Sequence, residues 1–256
     1  MVNPLLPFRG ENETEEYFLN EYLPLFLANR ENAVSERRAH LKFIQRHFRL
    51  PSNPCLLDVG CALGAMLSVA RDLGWQAAGV ETSAFAARYA AEQTGCPVFI
   101  GALQQASFSG ESFDVITLMD VIEHIPAPAD MISEIYRILR PGGVVYLVTP
   151  NFSSLSVRLY GLEAYGIWPD QHVLYFTPPS VRMLLRQNGF RRIVVKTKDV
   201  YAGNLQRLLR RPQPSVGTEI KAAFGERSAL RNARSVANFL FAHVLVGDKL
   251  IAGAQK

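Results

Sequence analysis

An acidic residue at the end of an apolar run, followed at once by a glycine turn, constrains this chain more than any other feature: Cys55-Leu-Leu-Asp58-Val-Gly60-Cys-Ala-Leu-Gly64. A run of that kind reads as a buried strand that delivers Asp58 to its carboxyl end. The glycines let the chain bend back and let backbone N–H groups approach a ligand, with a helix N-terminus behind them. A second run, Gln76-Ala-Ala-Gly-Val-Glu81, ends in another carboxylate. It follows the first by about 20 residues, the separation at which an α/β fold sets an acid against a ribose. Alone, Asp58 could be only a turn-former after a strand; paired with Glu81 it points to one nucleotide-type cofactor site.

The rest of the chain agrees with that architecture. Residues 1–50 read as helices, with Tyr22, Leu23 and Phe26 on one face and Leu41, Ile44 and Phe48 recurring at helical spacing. They form an N-terminal helical cap on a main domain of residues 51–256, and His40 and His47, in a polar stretch, read as surface residues. After Pro51 the signals alternate: strand 55–59, helix 64–73, strand 76–81, helix 83–94, strands 97–100 and 113–119, helix 128–139, strand 143–149. Such alternation predicts a doubly wound, mostly parallel α/β sheet with helices on both faces. In 128–139 the stripe is Met131, Ile132, Ile135, Ile138 and Leu139, with Asp130, Glu134 and Arg137 facing away, and Pro141-Gly-Gly143 stops the helix. Pro178 to Asn188 reads as a helix closed by Gly189, Phe190 to Lys198 as a strand, and 248–256 as a final strand able to return antiparallel.

Composition sets bounds on the class of protein. With 256 residues, 48% hydrophobic and 20% charged, the chain suits one large domain with insertions. Its net charge of +4 is modest, with acids gathered in Glu11 to Glu36 and arginines in Arg207 to Arg234, which is only a weak argument for nucleic acid, and none is expected as a partner. Three cysteines, Cys55, Cys61 and Cys96, lack Cys-x-x-Cys spacing, and no signal-type segment opens the sequence, so a reduced, cytoplasmic protein is expected. The apolar run Ala237 to Val246 is about half a bilayer span and contains Asn238 and His243. It reads as a buried helix, with peripheral membrane contact as the alternative.

The cofactor can be narrowed further. A dinucleotide turn uses G-x-G-x-x-G, but Ala62 and Ala65 stand where the second and third glycines belong, and Asp58 would oppose a pyrophosphate. A nicotinamide-dependent oxidoreductase is therefore the weaker reading, and a catalytically silent binding module is a second rival. A cofactor with a cationic amino-acid end suits Asp58 better.

The blocks Leu56 to Gly64, Gly79-Val-Glu-Thr-Ser83, Phe113 to His124, Leu139-Arg-Pro-Gly-Gly143 and Thr149-Pro-Asn151 resemble, in order, the signatures of class I S-adenosylmethionine-dependent methyltransferases. His172 to Pro178 through Asn188-Gly-Phe190 resembles the small-molecule branch that includes the ubiquinone-biosynthesis O-methyltransferases. The resemblance implies a Rossmann-like sheet of seven strands with an antiparallel last strand and an insertion before it. It implies S-adenosylmethionine as cofactor and S-adenosylhomocysteine as product. Gly60, Cys61 and Gly64 would wrap the methionine end, Asp58 would orient its amino group, Glu81 would accept the ribose hydroxyls, and Thr82 would lie beside the adenosine. Ala102 and Leu103 would line the adenine, and Met119 completes the cofactor set. Two positions depart from the pattern: many relatives have glycine at Ala62 and an aspartate near 102.

Methyl transfer from a sulfonium is an in-line displacement that depends on positioning and on excluding water. A hydroxyl acceptor also needs a base or a metal, placed where the fourth strand ends. Asp120, Glu123 and His124 occupy that place, with His124 the first choice as general base, unless the Glu-His pair only braces the loop. In the ubiquinone branch the similar acid-x-x-Glu-His block is associated with a divalent metal, which the resemblance implies here with Asp120 as the first acid. The absence of an Asn/Asp-Pro-Pro-Tyr turn favours an oxygen or carbon acceptor.

Residues 152–176, with Tyr160, Tyr165, Trp168 and Tyr175, read as an aromatic lid over a small-molecule acceptor; the rings either stack on it or fill the lid's own core. His172 either touches the acceptor or anchors the lid. A basic helical insertion, 203–246, contains Arg207, Arg210 and Arg211. It reads as a solvated excursion, a homo-oligomer contact, or a site for an acidic partner or a phosphorylated acceptor, and few aromatics interleave to suit nucleic acid.

Overall fold

Seven strands form one sheet in the order β3-β2-β1-β4-β5-β7-β6. They are β1 Cys55–Val59, β2 Gln76–Glu81, β3 Val98–Ile100, β4 Phe113–Met119, β5 Leu139–Pro150, β6 Arg191–Lys198 and β7 Lys249–Gln255. The computed structural model describes residues 15–164, 166–199 and 245–256. Tyr165 and nearly all of the expected insertion at 203–246 lie outside the described residues. β7 pairs antiparallel with both β5 and β6, as expected of the final strand, while β1 to β5 pair in parallel. β4 is buried at every position because helices cover both faces, which is why it reads as an unbroken apolar run.

Helices flank the sheet: α1 Leu23–Ala28, α2 Arg30–His47, α3 Ala65–Asp72, α4 Ala84–Thr94, α5 Pro128–Ile138, α6 Leu155–Tyr160 and α7 Pro178–Gln187. The expected stripe of α5 is its inward face, with Ile132, Ile135 and Ile138 fully buried. β5 begins at Leu139, earlier than the expected 143, and the expected helix loses that residue. Pro141 disfavours helix at the residue before it, and Leu139 pairs with Phe113 across a register shift.

The N-terminal helices share the core of the sheet. Leu41, Ile44 and Phe48 pack with Leu56, Val115 and Tyr146. His40 is buried rather than exposed, because α2 lies flat on the sheet and this residue continues its inward face. Its Nδ1 is 2.5 Å from the Tyr146 hydroxyl, and burial pushes the imidazole down to about 4, so it is neutral. His47 is half-buried and donates from Nδ1 to the Phe43 carbonyl at 2.9 Å. Phe48 crosses β7 at Gly253, where a Cβ would lie 2.7 Å from the ring. Among the described residues, no helix is long and apolar enough to cross a membrane.

The strand order reverses between β1 and β4, the switch point where α/β sheets open a crevice at their carboxyl ends. Asp58, one residue before the end of β1, and Met119, the last of β4, lie on the two strands that border it, and Glu81 ends β2 one strand away.

Candidate active site

The two acids hold different positions at the sheet rim. Asp58 is 3% exposed and accepts a hydrogen bond from Thr117 Oγ1 at 2.6 Å. Burial pushes its carboxyl up to about 7, opposed by the Thr117 bond and the charge of Arg37 and assisted by Glu81. A buried acid of this kind is relieved by a cation, which is the chemistry of a cofactor bearing an ammonium and a sulfonium. Glu81 accepts from Ala62 N at 2.9 Å through Oε2, and from Ser83 N at 3.0 Å and Thr82 Oγ1 at 3.2 Å through Oε1. These three bonds use most of a carboxylate's about four acceptor positions, so they orient Glu81 and leave about one for a further donor.

The turn between the acids is built as its glycines require. Gly60 has φ +70°, its N–H and that of Cys61 donate to the Val80 carbonyl at 2.8 and 3.1 Å, and a Cβ at Gly60 would lie 2.5 Å from Val121 Cγ2. Gly64, at φ +82°, opens α3. Ala62 stands at φ +46°, a left-handed conformation that costs an alanine about 1–2 kcal/mol and explains why glycine suits this place. Cys61 is buried against β2, and burial pushes its thiol far up, so it is a packing residue of the turn. Leu103 lies in the hydrophobic core with Val80 and Ile116, while Ala102 N donates to Gln105 Oε1 at 2.7 Å. Packing therefore claims the Leu103 side chain, which was expected to line the adenine. Glu15, from the N-terminal segment, accepts from Ala84 N and Phe85 N at 2.6 and 3.0 Å, capping α4 beside Glu81.

At the end of β4 Asp120 parts from the other two members of the expected trio. Asp120 adopts φ +56°, and Lys249 Nζ, at the first residue of β7, donates to its two oxygens at 2.9 and 3.2 Å. Burial opposes its ionisation, but the ammonium outweighs burial and holds the carboxyl below the usual range. Glu123 is 1% exposed, accepts from Thr149 Oγ1 at 2.9 Å through Oε2, and has no hydrogen-bond partner for Oε1. Burial, and then the charge of Asp120, push it up to about 8.

His124 donates from Nδ1 to the Gln171 carbonyl at 2.9 Å, and its ring meets the edge of His172 at 5.0 Å. Glu123, His124 and His172 each bring a ligand-type atom within 4.8 Å of the others. The acid-x-x-Glu-His set implied for a divalent metal is thus only partly gathered: Asp120 pairs with Lys249, and His172 stands with Glu123 and His124 in its place.

Sequence reading missed several of these groups. Arg37 is half-buried on α2 and its charge acts on both Asp58 and Asp120. Lys249, Thr117, Thr149 and Gln171 complete the site from other elements. The strand that Lys249 opens was readable, but its pairing with Asp120 was not.

The family model for a methyltransferase domain matches residues 27–195. A ubiquinone biosynthesis O-methyltransferase from Burkholderia pseudomallei is 24% identical over 168 residues, covering 61% of this chain and 72% of that protein. Its counterpart from Methylococcus capsulatus is 33% identical over 132 residues, covering 49% and 54%. A SAM-dependent methyltransferase structure from Archaeoglobus fulgidus superposes with a TM-score of 0.63 at 18% identity, covering 93% of this chain and all 100% of the other. Phosphoethanolamine N-methyltransferase 2 from Haemonchus contortus, in complex with S-adenosyl-L-methionine, gives a TM-score of 0.58 at 20% identity over 87% of this chain and 52% of that one. With the acids at the strand ends and the glycine turn between them, this chain belongs to the methyltransferase domain family and is an S-adenosylmethionine-dependent methyltransferase.

Proposed function

We propose that the enzyme methylates a hydroxyl oxygen of a small molecule, with Asp58 and Glu81 holding the cofactor and His124 acting as general base. The bond from His124 Nδ1 to the Gln171 carbonyl carries this reading, because a neutral imidazole protonated on Nδ1 keeps its lone pair on Nε2. The neighbouring groups suit the task less well: Asp120 is committed to Lys249, and burial and the Asp120 charge push Glu123 toward its protonated form.

Bound S-adenosylmethionine supplies the methyl group from its sulfonium and leaves as S-adenosylhomocysteine. Asp58 receives the cationic amino-acid end, with the backbone of Gly60 to Gly64 around it and Cys61 packed beneath. Glu81 takes the ribose hydroxyls, flanked by Thr82, and Ala102 and Met119 border the nucleoside. At the acceptor, the hydroxyl oxygen forms the new bond to carbon as its proton passes to His124 Nε2. The lid around Trp168 and His172 excludes water from that transfer. The names of the sequence relatives support an oxygen acceptor, and the three free cysteines suit a cytoplasmic setting.

The test pairs turnover with calorimetry. His124→Gln should cut kcat by about 10²–10⁴-fold while S-adenosylmethionine affinity stays unchanged. Retention of full kcat would remove His124 from the chemistry. Radiolabelled methyl found only on amines, across a panel of phenols, carboxylic acids and amines, would overturn the oxygen acceptor.

A further inference from the structure

We propose that the turn Trp168–Leu174 is what makes His124 a base: the Gln171 carbonyl and the His172 ring hold His124 in the tautomer protonated on Nδ1. The inference rests on the reading of His124 as proton acceptor, but it concerns where the proton sits before reaction and is tested there.

The turn is itself tightly specified. Gln171 N and His172 N both donate to the Trp168 carbonyl, at 2.9 and 2.8 Å. Trp168 N reaches back to His172 Nδ1 at 3.4 Å, which makes Nδ1 an acceptor and leaves the His172 proton on Nε2. The Trp168 ring stacks on His172 at 5.7 Å with an interplanar angle of 20°. Val173 N and Leu174 N then donate to the Glu123 carbonyl, each at 3.0 Å.

Those last two bonds already fasten the lid to the end of β4. The Gln171 carbonyl does something they do not, since it is aimed at a side-chain nitrogen and selects one tautomer of it. His172 sets the plane of that ring, meeting it at 70° while 4% exposed. Burial, and then His124, push His172 down to about 4, so it stays uncharged beside a ring that must accept a proton. His172 is thus a positioning residue, acting through His124.

The experiment is a long-range proton–nitrogen spectrum of the full-length protein labelled with ¹⁵N-histidine, with His124 assigned from its absence in His124→Gln. The native protein should show His124 protonated on Nδ1. In His172→Ala, and in Gln171→Gly, which loosens the turn without touching either ring, that pattern should collapse toward a tautomer mixture. In both variants kcat should fall about tenfold at unchanged KM for S-adenosylmethionine.

A native His124 protonated on Nε2 overturns the inference, and so does a His172→Ala protein that keeps both the Nδ1 pattern and kcat. The native spectrum decides even if the variants fail to fold. Should the tautomer behave as stated while His124→Gln keeps full turnover, the base assignment fails and the positioning turn stands.

Discussion

The two halves of the site are built on opposite plans. On the β1–β2 side, the acids and the turn between them come from one continuous stretch of chain, and backbone N–H groups orient the Glu81 carboxylate. On the β4–β5–β7 side, the groups arrive from the end of β4, from β5, the lid and β7, and side chains satisfy one another. Their charges differ as well. Asp58 and Glu81 leave the cofactor side acidic, whereas Asp120 is neutralised by Lys249, Glu123 by a proton, and His172 by burial. A binding task common to many enzymes can be met by local backbone, while the choice of acceptor and of base needs distant parts brought together.

The joint between the halves is the most sensitive point. Gly60→Ala places a methyl against Val121 from a left-handed backbone, and should lower the unfolding free energy by about 2–4 kcal/mol, read as an earlier thermal or urea transition. Stability close to the native value would mean that the halves are not in contact there.

Next in size, Glu81→Ala should weaken S-adenosylmethionine binding by about 10- to 100-fold in calorimetry, through loss of a charge-assisted bond. A comparable loss in His124→Gln would erase the division of labour.

Asp58 sharpens the comparison through pH. Its folded carboxyl is raised to about 7, whereas in the unfolded chain it ionises near ~3.9. The native state therefore holds the extra proton across that window, so this group's contribution to stability falls as pH rises from about 4 to 7 and is level above. Affinity for the cationic cofactor runs the other way, rising up to about tenfold per pH unit until it levels near 7. Calorimetry at two pH values, with Asp58→Asn losing the dependence, checks the sign.

The smallest expected effect is none: a chelator should leave turnover intact. Loss restored by a divalent cation would hand the proton's role to an ion among Glu123, His124 and His172.

Most of the sheet was legible because each strand and helix writes its own period, and both acids stand at ends of strands that the apolar runs define. The acceptor side was less so. His124 is oriented by a backbone carbonyl 47 residues away, and any residue type at position 171 would supply one. Lys249 meets Asp120 across a separation of 129 residues, which no local pattern encodes. His40 misled because polarity around a helix predicts solvent, whereas this ring finds the Tyr146 hydroxyl inside the packed face. Leu103 likewise shows that an apolar residue after a strand can be claimed by the core before it reaches a ligand.

Phe48 on Gly253 makes a fulcrum of the C-terminal end of α2. The helix extends 18 residues from there, about 27 Å at 1.5 Å per residue, with Arg37 partway along the beam and α1 beyond it. Lifting Phe48 by the thickness of a methyl group would tilt the whole beam, so a position in the last strand governs how firmly the charge of Arg37 is held toward Asp58.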